Sequence, residues 1–234
     1  ESRMQTAGET TKHDQRARLN KLYRVQRHFY DPTRRLFLFG RDRLLRQMDV
    51  QPGERVLEVG CGTGRNLLKL SELQPKAILY GLDASDEMLK TAGARLDARG
   101  MRKTIILRQG LAEKFDLENT FRRSRPFDKV FISYSLSMFP AWRTALTNVL
   151  GNLRPGGDLF ILDFWDGDGL PVWLVRLRTW WLSLFKVYYR PQFLQFLTEL
   201  QKEGEGKYTV TSVGTNYAFI AHFQKSPEKQ SLVQ

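Results

Sequence analysis

Short apolar runs alternate with stretches of helical period along most of the chain. Val56, Leu57 and Val59 suit a short buried strand, and further strands read at Ala77 to Leu82, Thr104 to Arg108, Phe127 to Ser133 and Asp158 to Phe164. Helices are expected over Asn66 to Leu73 and from Asp86 onward, with Ser85 as the N-cap of the second. Alternating residues in YTVTSVGTNYAFIAHF put the last two strands within Tyr208 to Phe223, a hairpin turning about Gly214. Ahead of the first strand, Leu19, Leu22, Val25, Phe29, Leu36, Phe39, Leu44 and Leu45 recur at roughly helical spacing. They give two or three helices, broken at Asp31-Pro32 and near Gly40.

The composition is globular, 41% hydrophobic and 26% charged, so the 234 residues can bury a core as one domain with an N-terminal extension. Residues 1–12 and 226–234 are expected as disordered tails around a helical segment at 13–50 and a main domain at 51–225. Cys61 is the only cysteine, which excludes an internal disulfide and suits a reducing compartment, where it fills space rather than acting as a nucleophile. The net charge of +12 makes an anionic partner worth testing, whether nucleic acid, acidic metabolite or membrane surface. No run of about 18 residues is apolar and free of charge. The polar start ESRMQTAGETTKHDQ is not a signal peptide, so the expectation is a cytoplasmic protein. Scattered histidines and one cysteine offer no ligand set for zinc or iron, and no metal is expected.

Candidate chemistry concentrates where the first strand ends. Glu58-Val59-Gly60-Cys61-Gly62-Thr63-Gly64 places glycines where the backbone must turn sharply beneath a ligand at a helix N-terminus. A nicotinamide-binding loop would read GxGxxG, with its third glycine where Arg65 stands; here the pattern is ExGxGxG. Asp83 ends the second strand about 20 residues past the glycines, where a carboxylate can accept both ribose hydroxyls. Its alternative use is as a helix N-cap, for which Ser85 is better placed. Met88, in the first turn of the next helix, can pack on a nucleoside or equally on the core.

These residues resemble motif I and its downstream partners in the class I S-adenosylmethionine-dependent methyltransferases. The resemblance implies an α/β, Rossmann-like fold: a seven-stranded, mostly parallel sheet with helices on both faces, with 13–50 as a helical lid. It also implies S-adenosylmethionine as cofactor. The residues it assigns to that ligand are Glu58, Gly60, Cys61, Gly62, Thr63 and Gly64, then Asp83, Ala84, Ser85 and Met88, then Gly110, Leu111 and Ala112 as the adenine turn, and Ser133. The family often has an acidic residue where Leu111 stands, which leaves adenine to backbone and apolar groups here. The Asp/Asn-Pro-Pro-aromatic motif used on nucleic-acid amino groups is replaced by Ser133-Tyr134-Ser135-Leu136, and no separate recognition module exists. A nucleic-acid partner is therefore not expected.

Leu170 to Leu197 forms an aromatic and basic helical insert. Trp173, Trp180, Trp181, Phe185, Tyr188 and Tyr189 stand among Arg176, Arg178, Lys186 and Arg190, a composition that suits an interfacial helix on anionic lipid. The alternative is a buried helix pair with snorkelling arginines. Taken with the segments YRVQRHFYDPTRRLFLFGRD, VLEVGCGTGRN, SYSLSMFPAW, LDFWD and Trp181 to Arg190, the chain resembles the N-methyltransferases of bacterial betaine-lipid synthesis over nearly its whole length. Lys186 departs from that pattern, standing where a histidine is expected.

This second resemblance implies three methyl transfers to the amine of diacylglyceryl-homoserine by a cytoplasmic protein held peripherally at the membrane. In-line transfer needs a positioned, deprotonated amine. Tyr23, Tyr30 and Tyr134 are candidates to orient it and to favour the quaternary product by cation–π attraction. Arg24, Arg27, Arg34, Arg35 and Arg190 are candidates for the substrate carboxylate. Alternatives on the same fold are a quinone precursor or phosphatidylethanolamine as acceptor; from a different class, a non-catalytic binding module that keeps only the fold.

Overall fold

A computed structural model describes residues 38–183 and 190–227. Tyr23, Tyr30, Arg24, Arg27, Arg34, Arg35 and Lys186 lie outside the described residues, as do most of the expected lid and of both tails.

Seven strands form one sheet: β1 (Arg55–Val59), β2 (Ile78–Asp83), β3 (Ile105–Gln109), β4 (Phe127–Ser133), β5 (Leu153–Phe164), β6 (Gly206–Val213) and β7 (Ala218–Lys225). Their order is β3-β2-β1-β4-β5-β7-β6, and β7 alone runs opposite to the other six strands. The helices are α1 (Arg41–Gln47), α2 (Arg65–Leu73), α3 (Asp86–Asp97), α4 (Leu117–Phe121), α5 (Trp142–Gly151), α6 (Val172–Ser183) and α7 (Gln192–Lys202).

The period-two alternation of the strands builds two apolar layers. Val56, Leu79, Phe131, Phe160 and Ile220 face one way and pack with Leu44 and Leu45 of α1, Leu67 and Leu70 of α2, and Leu96 of α3. Leu57, Val59, Tyr80, Ile132, Ile161 and Phe219 face the other way, against Phe121 of α4, Leu146 and Val149 of α5, and Phe193 and Leu197 of α7. Because both faces are covered, the central strands read as nearly unbroken apolar runs. From β1 the chain runs outward through β2 and β3, then returns to add β4 on the other side of β1. That reversal opens a crevice at the C-terminal ends of β1 and β4, where such sheets hold ligands.

One expectation needs correction. The fifth strand, expected from Asp158, begins at Leu153: Phe127 pairs with Leu153 and Lys129 with Asp158, so the intervening residues bulge out of the ladder. Gly156 sits at φ 67°, and a Cβ on Gly157 would come within 2.9 Å of the Asp128 and Arg154 carbonyls, so glycine is needed at both. The described residues of the insert Leu170 to Leu197 include α6 and the first half of α7. Phe193, Phe196 and Leu197 are buried under the sheet as part of α7, whereas Trp173 and Trp180 of α6 are exposed.

Candidate functional site

The chain leaves β1 leaning on the end of β2, with the N–H groups of Gly60 and Cys61 donating to the Leu82 carbonyl at 2.8 and 3.0 Å. Gly60, Gly62 and Gly64 have φ of 75°, 51° and 72°, conformations that cost any residue with a Cβ about 1–2 kcal/mol. A Cβ on Gly60 would also run into Ser135 Oγ. Gly64 is the N-cap of α2 and offers no side-chain cap, which leaves the first-turn N–H groups for a ligand. Arg95 on α3 donates to Thr63 Oγ1 at 2.7 Å and braces the loop from the side. Burial, then the charges of Asp83 and Glu58, push the Cys61 thiol well above its ordinary pKa, so it is a protonated filler.

Two carboxylates flank the loop. Glu58 is buried and accepts the Asn66 Nδ2–H at 2.7 Å. Asp83 accepts the Gly62 N–H on Oδ2 at 2.7 Å and the Ser85 N–H on Oδ1 at 2.9 Å. Ser85 caps α3 through Oγ, which accepts the Met88 N–H at 3.4 Å, as its sequence position indicated. Met88 is buried yet belongs to neither core layer. Gly110 N–H donates to the Asp83 carbonyl at 3.0 Å, and the Gln109 side chain donates to the Ala84 carbonyl at 3.3 Å, drawing the turn after β3 to the turn after β2. Asn148 on α5 holds that turn from below, donating to the carbonyls of Ala112 and Phe115 at 3.0 and 2.8 Å; half-buried Leu111 lies between Gly110 and Ala112. Ser133, at the end of β4, carries a buried Oγ with no hydrogen-bond partner among the described residues. An orphaned hydroxyl, an uncapped helix N-terminus and paired carboxylates in one crevice fit a polar ligand with cationic groups.

The turn after β4 departs from expectation. Tyr134, expected at a pocket mouth, is only 3% exposed; its hydroxyl donates to the Phe39 carbonyl at 2.7 Å and its ring packs 4.7 Å from that of Phe164. Burial, then Tyr217 and Asp163, raise its pKa well above the usual phenol value. It is placed as a strut. Ser135 donates to the Val59 carbonyl at 3.1 Å, and Asp163 holds the rest of the turn by accepting the Ser137 N–H at 2.9 Å, the Ser137 hydroxyl at 3.0 Å and the Phe164 N–H at 2.8 Å. Burial lifts the Asp163 carboxyl to about 6 against these donors and the positive charge of Arg190, which the fold brings into its electrostatic range.

Sequence reasoning did not single out Asp163, Ser135, Asn66, Asn148 or Arg95. Only Asp163 carried a signal, a lone carboxylate inside the apolar run Leu159 to Phe164. Among the described residues no group of His, Cys, Asp and Glu side chains is arranged to hold a metal, and no helix is long and apolar enough to cross a membrane.

Residues 56–157 match the family model of a methyltransferase domain. The chain is 30% identical to a demethylmenaquinone methyltransferase of Geobacillus kaustophilus, over 60% of this chain and 54% of the relative. It is 35% identical to a ubiquinone/menaquinone biosynthesis C-methyltransferase of Blochmanniella floridana, over 58% of this chain and 54% of the relative. The chain spans about half the length of these relatives. A solved S-adenosylmethionine-dependent methyltransferase from Aquifex aeolicus shares the fold with a TM-score of 0.62 at 22% identity, covering 88% of this chain and 97% of that one. The sheet shares the fold of that solved methyltransferase, and the stretch 56–157 is similar to a methyltransferase domain.

Proposed function

We propose that the protein transfers methyl groups from S-adenosylmethionine to the amine of a lipid-linked homoserine. The observation that carries the cofactor half of this reading is the Asp83 carboxylate, set at the end of β2 between the glycine loop and the cap of α3. S-adenosylmethionine, when bound, supplies a methyl carbon made electrophilic by its sulfonium. The chain's own residues supply position and electrostatics. Asp83 accepts the ribose hydroxyls; Glu58, fixed by Asn66, answers the positive charge of the amino-acid end; Met88 and the Gly110-Leu111-Ala112 turn pack on the base; and Ser133 Oγ takes the remaining polar contact. Gly60, Cys61, Gly62, Thr63, Gly64, Ala84 and Ser85 form the backbone of this cradle.

The acceptor amine must lose a proton before each transfer, and a desolvated, cation-lined pocket lowers its pKa. Tyr23 and Tyr30 are proposed to orient it, and Arg24, Arg27, Arg34 and Arg35, with Arg190 in electrostatic range of Asp163, to hold the carboxylate. Such an acceptor resides in a membrane, so the protein works peripherally at its cytoplasmic surface.

A second reading, a quinone precursor as acceptor, is favoured by the names of the relatives, a demethylmenaquinone methyltransferase and a ubiquinone/menaquinone biosynthesis C-methyltransferase. Both acceptors can be tested together. The protein would be incubated with S-adenosylmethionine and vesicles carrying diacylglyceryl-homoserine or a demethylated quinone, and the lipids weighed by mass spectrometry. Stepwise gains of one, two and three methyl groups on the amine are expected. A single gain on the quinone, with none on the lipid, would overturn the first reading in favour of the second.

A further inference from the structure

We infer that the outer face of α6 is a docking surface for an anionic membrane, set beside the mouth of the crevice. Trp173, Leu177 and Trp180 lie at helical positions i, i+4 and i+7 and form one stripe, with exposures of 67%, 40% and 61%; Val172 extends its edge at 67%. Leu174 and Val175, on the opposite side of the helix, are the half-buried ones. An ordinary surface helix turns its apolar stripe to the core and its polar side to water. This one presents two tryptophans to solvent, while the apolar Leu174 and Val175 are half-buried.

The occupant follows from charge. Between Leu170 and Arg190 the sequence holds no Asp or Glu, while Arg176, Arg178, Lys186 and Arg190 are cations, in a chain of net charge +12. Indole rings partition to the headgroup level of a bilayer, and cations beside them are attracted to acidic headgroups. A second copy of the chain would instead bring like charge against like.

The geometry ties this face to the site. α6 springs from the C-terminal end of β5, just past Asp163 and Phe164. Its root is fastened to the β6–β7 turn: the Gly167 N–H donates to the Asn216 carbonyl at 2.9 Å, the Asn216 side chain to the Asp168 carbonyl at 3.2 Å, and the Trp165 N–H to the Tyr217 carbonyl at 3.1 Å. The stripe is thus held at the edge of the sheet where the crevice opens, so a docked protein meets an acceptor emerging from the bilayer. The inference rests on the proposed function only in needing a membrane-resident acceptor, and both acceptors considered above qualify.

The test compares the full chain with the double variant Trp173→Ser, Trp180→Ser, whose altered positions are exposed and whose fold is checked by thermal melting. Binding is read by co-sedimentation with vesicles of phosphatidylcholine, with and without phosphatidylglycerol. The wild type is expected to bind the anionic vesicles more tightly, and the variant to lose about tenfold or more of that affinity. Turnover of vesicle-borne acceptor should fall in the variant while turnover of a short-chain, monomerically dispersed acceptor stays. Equal vesicle binding by variant and wild type would overturn the inference, as would a wild-type dimer that the substitutions dissociate. Vesicle binding lost with the tryptophans, in a protein that methylates neither acceptor, would keep the docking face and discard the proposed function.

Discussion

Asp83 accepts the backbone N–H of Gly62 at 2.7 Å, so the acidic residue that ends β2 also fixes the middle of the glycine loop. The same carboxylate takes the Ser85 N–H at 2.9 Å and the Asp83 main-chain carbonyl takes the Gly110 N–H at 3.0 Å, so one residue joins three strand-end segments into a single wall of the crevice. Asp83→Ala strips an acceptor from two backbone donors and, in the proposed role, from the ribose. Hydrogen bonds to a charged group are worth about 1.5–3 kcal/mol each, so S-adenosylhomocysteine should bind the variant about tenfold to a thousandfold more weakly by titration calorimetry. An unchanged affinity would remove Asp83 from the cofactor site.

The core reaches the loop through Gly81. A Cβ at this position in β2 would come within 2.7 Å of Leu67 Cδ1, 2.8 Å of Leu107 Cδ2 and 2.9 Å of Cys61 Sγ. Leu67 and Leu107 can shift within the layer, but Cys61 can yield only by moving the loop. Gly81→Ala is expected to destabilise by about 1–3 kcal/mol, as overpacking does, and to weaken cofactor binding although residue 81 touches no ligand. Urea melts and calorimetry on the same sample separate the two. A loss of stability with cofactor affinity intact would show that the loop is insulated from the core.

Asp163 makes a pH-dependent prediction whose sign is set by its raised pKa. The folded value of about 6 lies above the ordinary 3.8, so the folded protein keeps a proton that the unfolded chain releases. Stability from this group is full below about pH 4, falls as pH rises through 6, and is level above, a change of about 3 kcal/mol in all. Asp163→Asn cannot titrate. The stability difference between wild type and variant, from urea melts at several pH values, should therefore decline between pH 4 and 7; Asp128 and Asp158, whose pKa values are lowered against burial by their arginine, lysine and histidine partners, lose their stabilisation only below about pH 4 and cancel from the difference. A difference that stays flat across that range would return Asp163 to ordinary carboxylate behaviour.

The parts of the site that were legible in the sequence are those that local chemistry dictates. Left-handed backbone at Gly60, Gly62 and Gly64 requires glycine, and Ser85 caps a helix from within its own turn, so both could be read before the chain was folded. Asp83 was legible because strand length and loop length together fix where a carboxylate can reach. Ser135, Asn66 and Asn148 act across distances that only the tertiary fold closes, on the Val59 carbonyl, the Glu58 carboxylate and the Ala112 carbonyl, and nothing in their neighbours marks them. The start of β5 was displaced because Pro155-Gly156-Gly157 has the composition of a turn; a bulge uses the same glycines, and only the pairing of Phe127 with Leu153 tells them apart.

Tyr134 separates a substrate contact from a strut. Tyrosine serves both ends equally well, an apolar ring with a polar tip, and the sequence position after β4 favoured the acceptor. In the folded chain its hydroxyl is spent on the Phe39 carbonyl at 2.7 Å, and its ring packs at a tilt against Phe164 and the adjoining core. Tyr134→Phe keeps the ring and removes only that bond. As a strut, the variant should lose about 1 kcal/mol of stability, the net value of one buried hydrogen bond, with S-adenosylhomocysteine affinity unchanged and kcat within about twofold of wild type. As an amine-orienting group, it would instead keep its stability and lose kcat by about a hundredfold, the scale of a positioning contact to the reacting atom. Melting temperature and single-turnover rate on the same preparation distinguish these. The distance to Phe39 commits us to the first, and a stable but inactive variant would restore Tyr134 to the acceptor site.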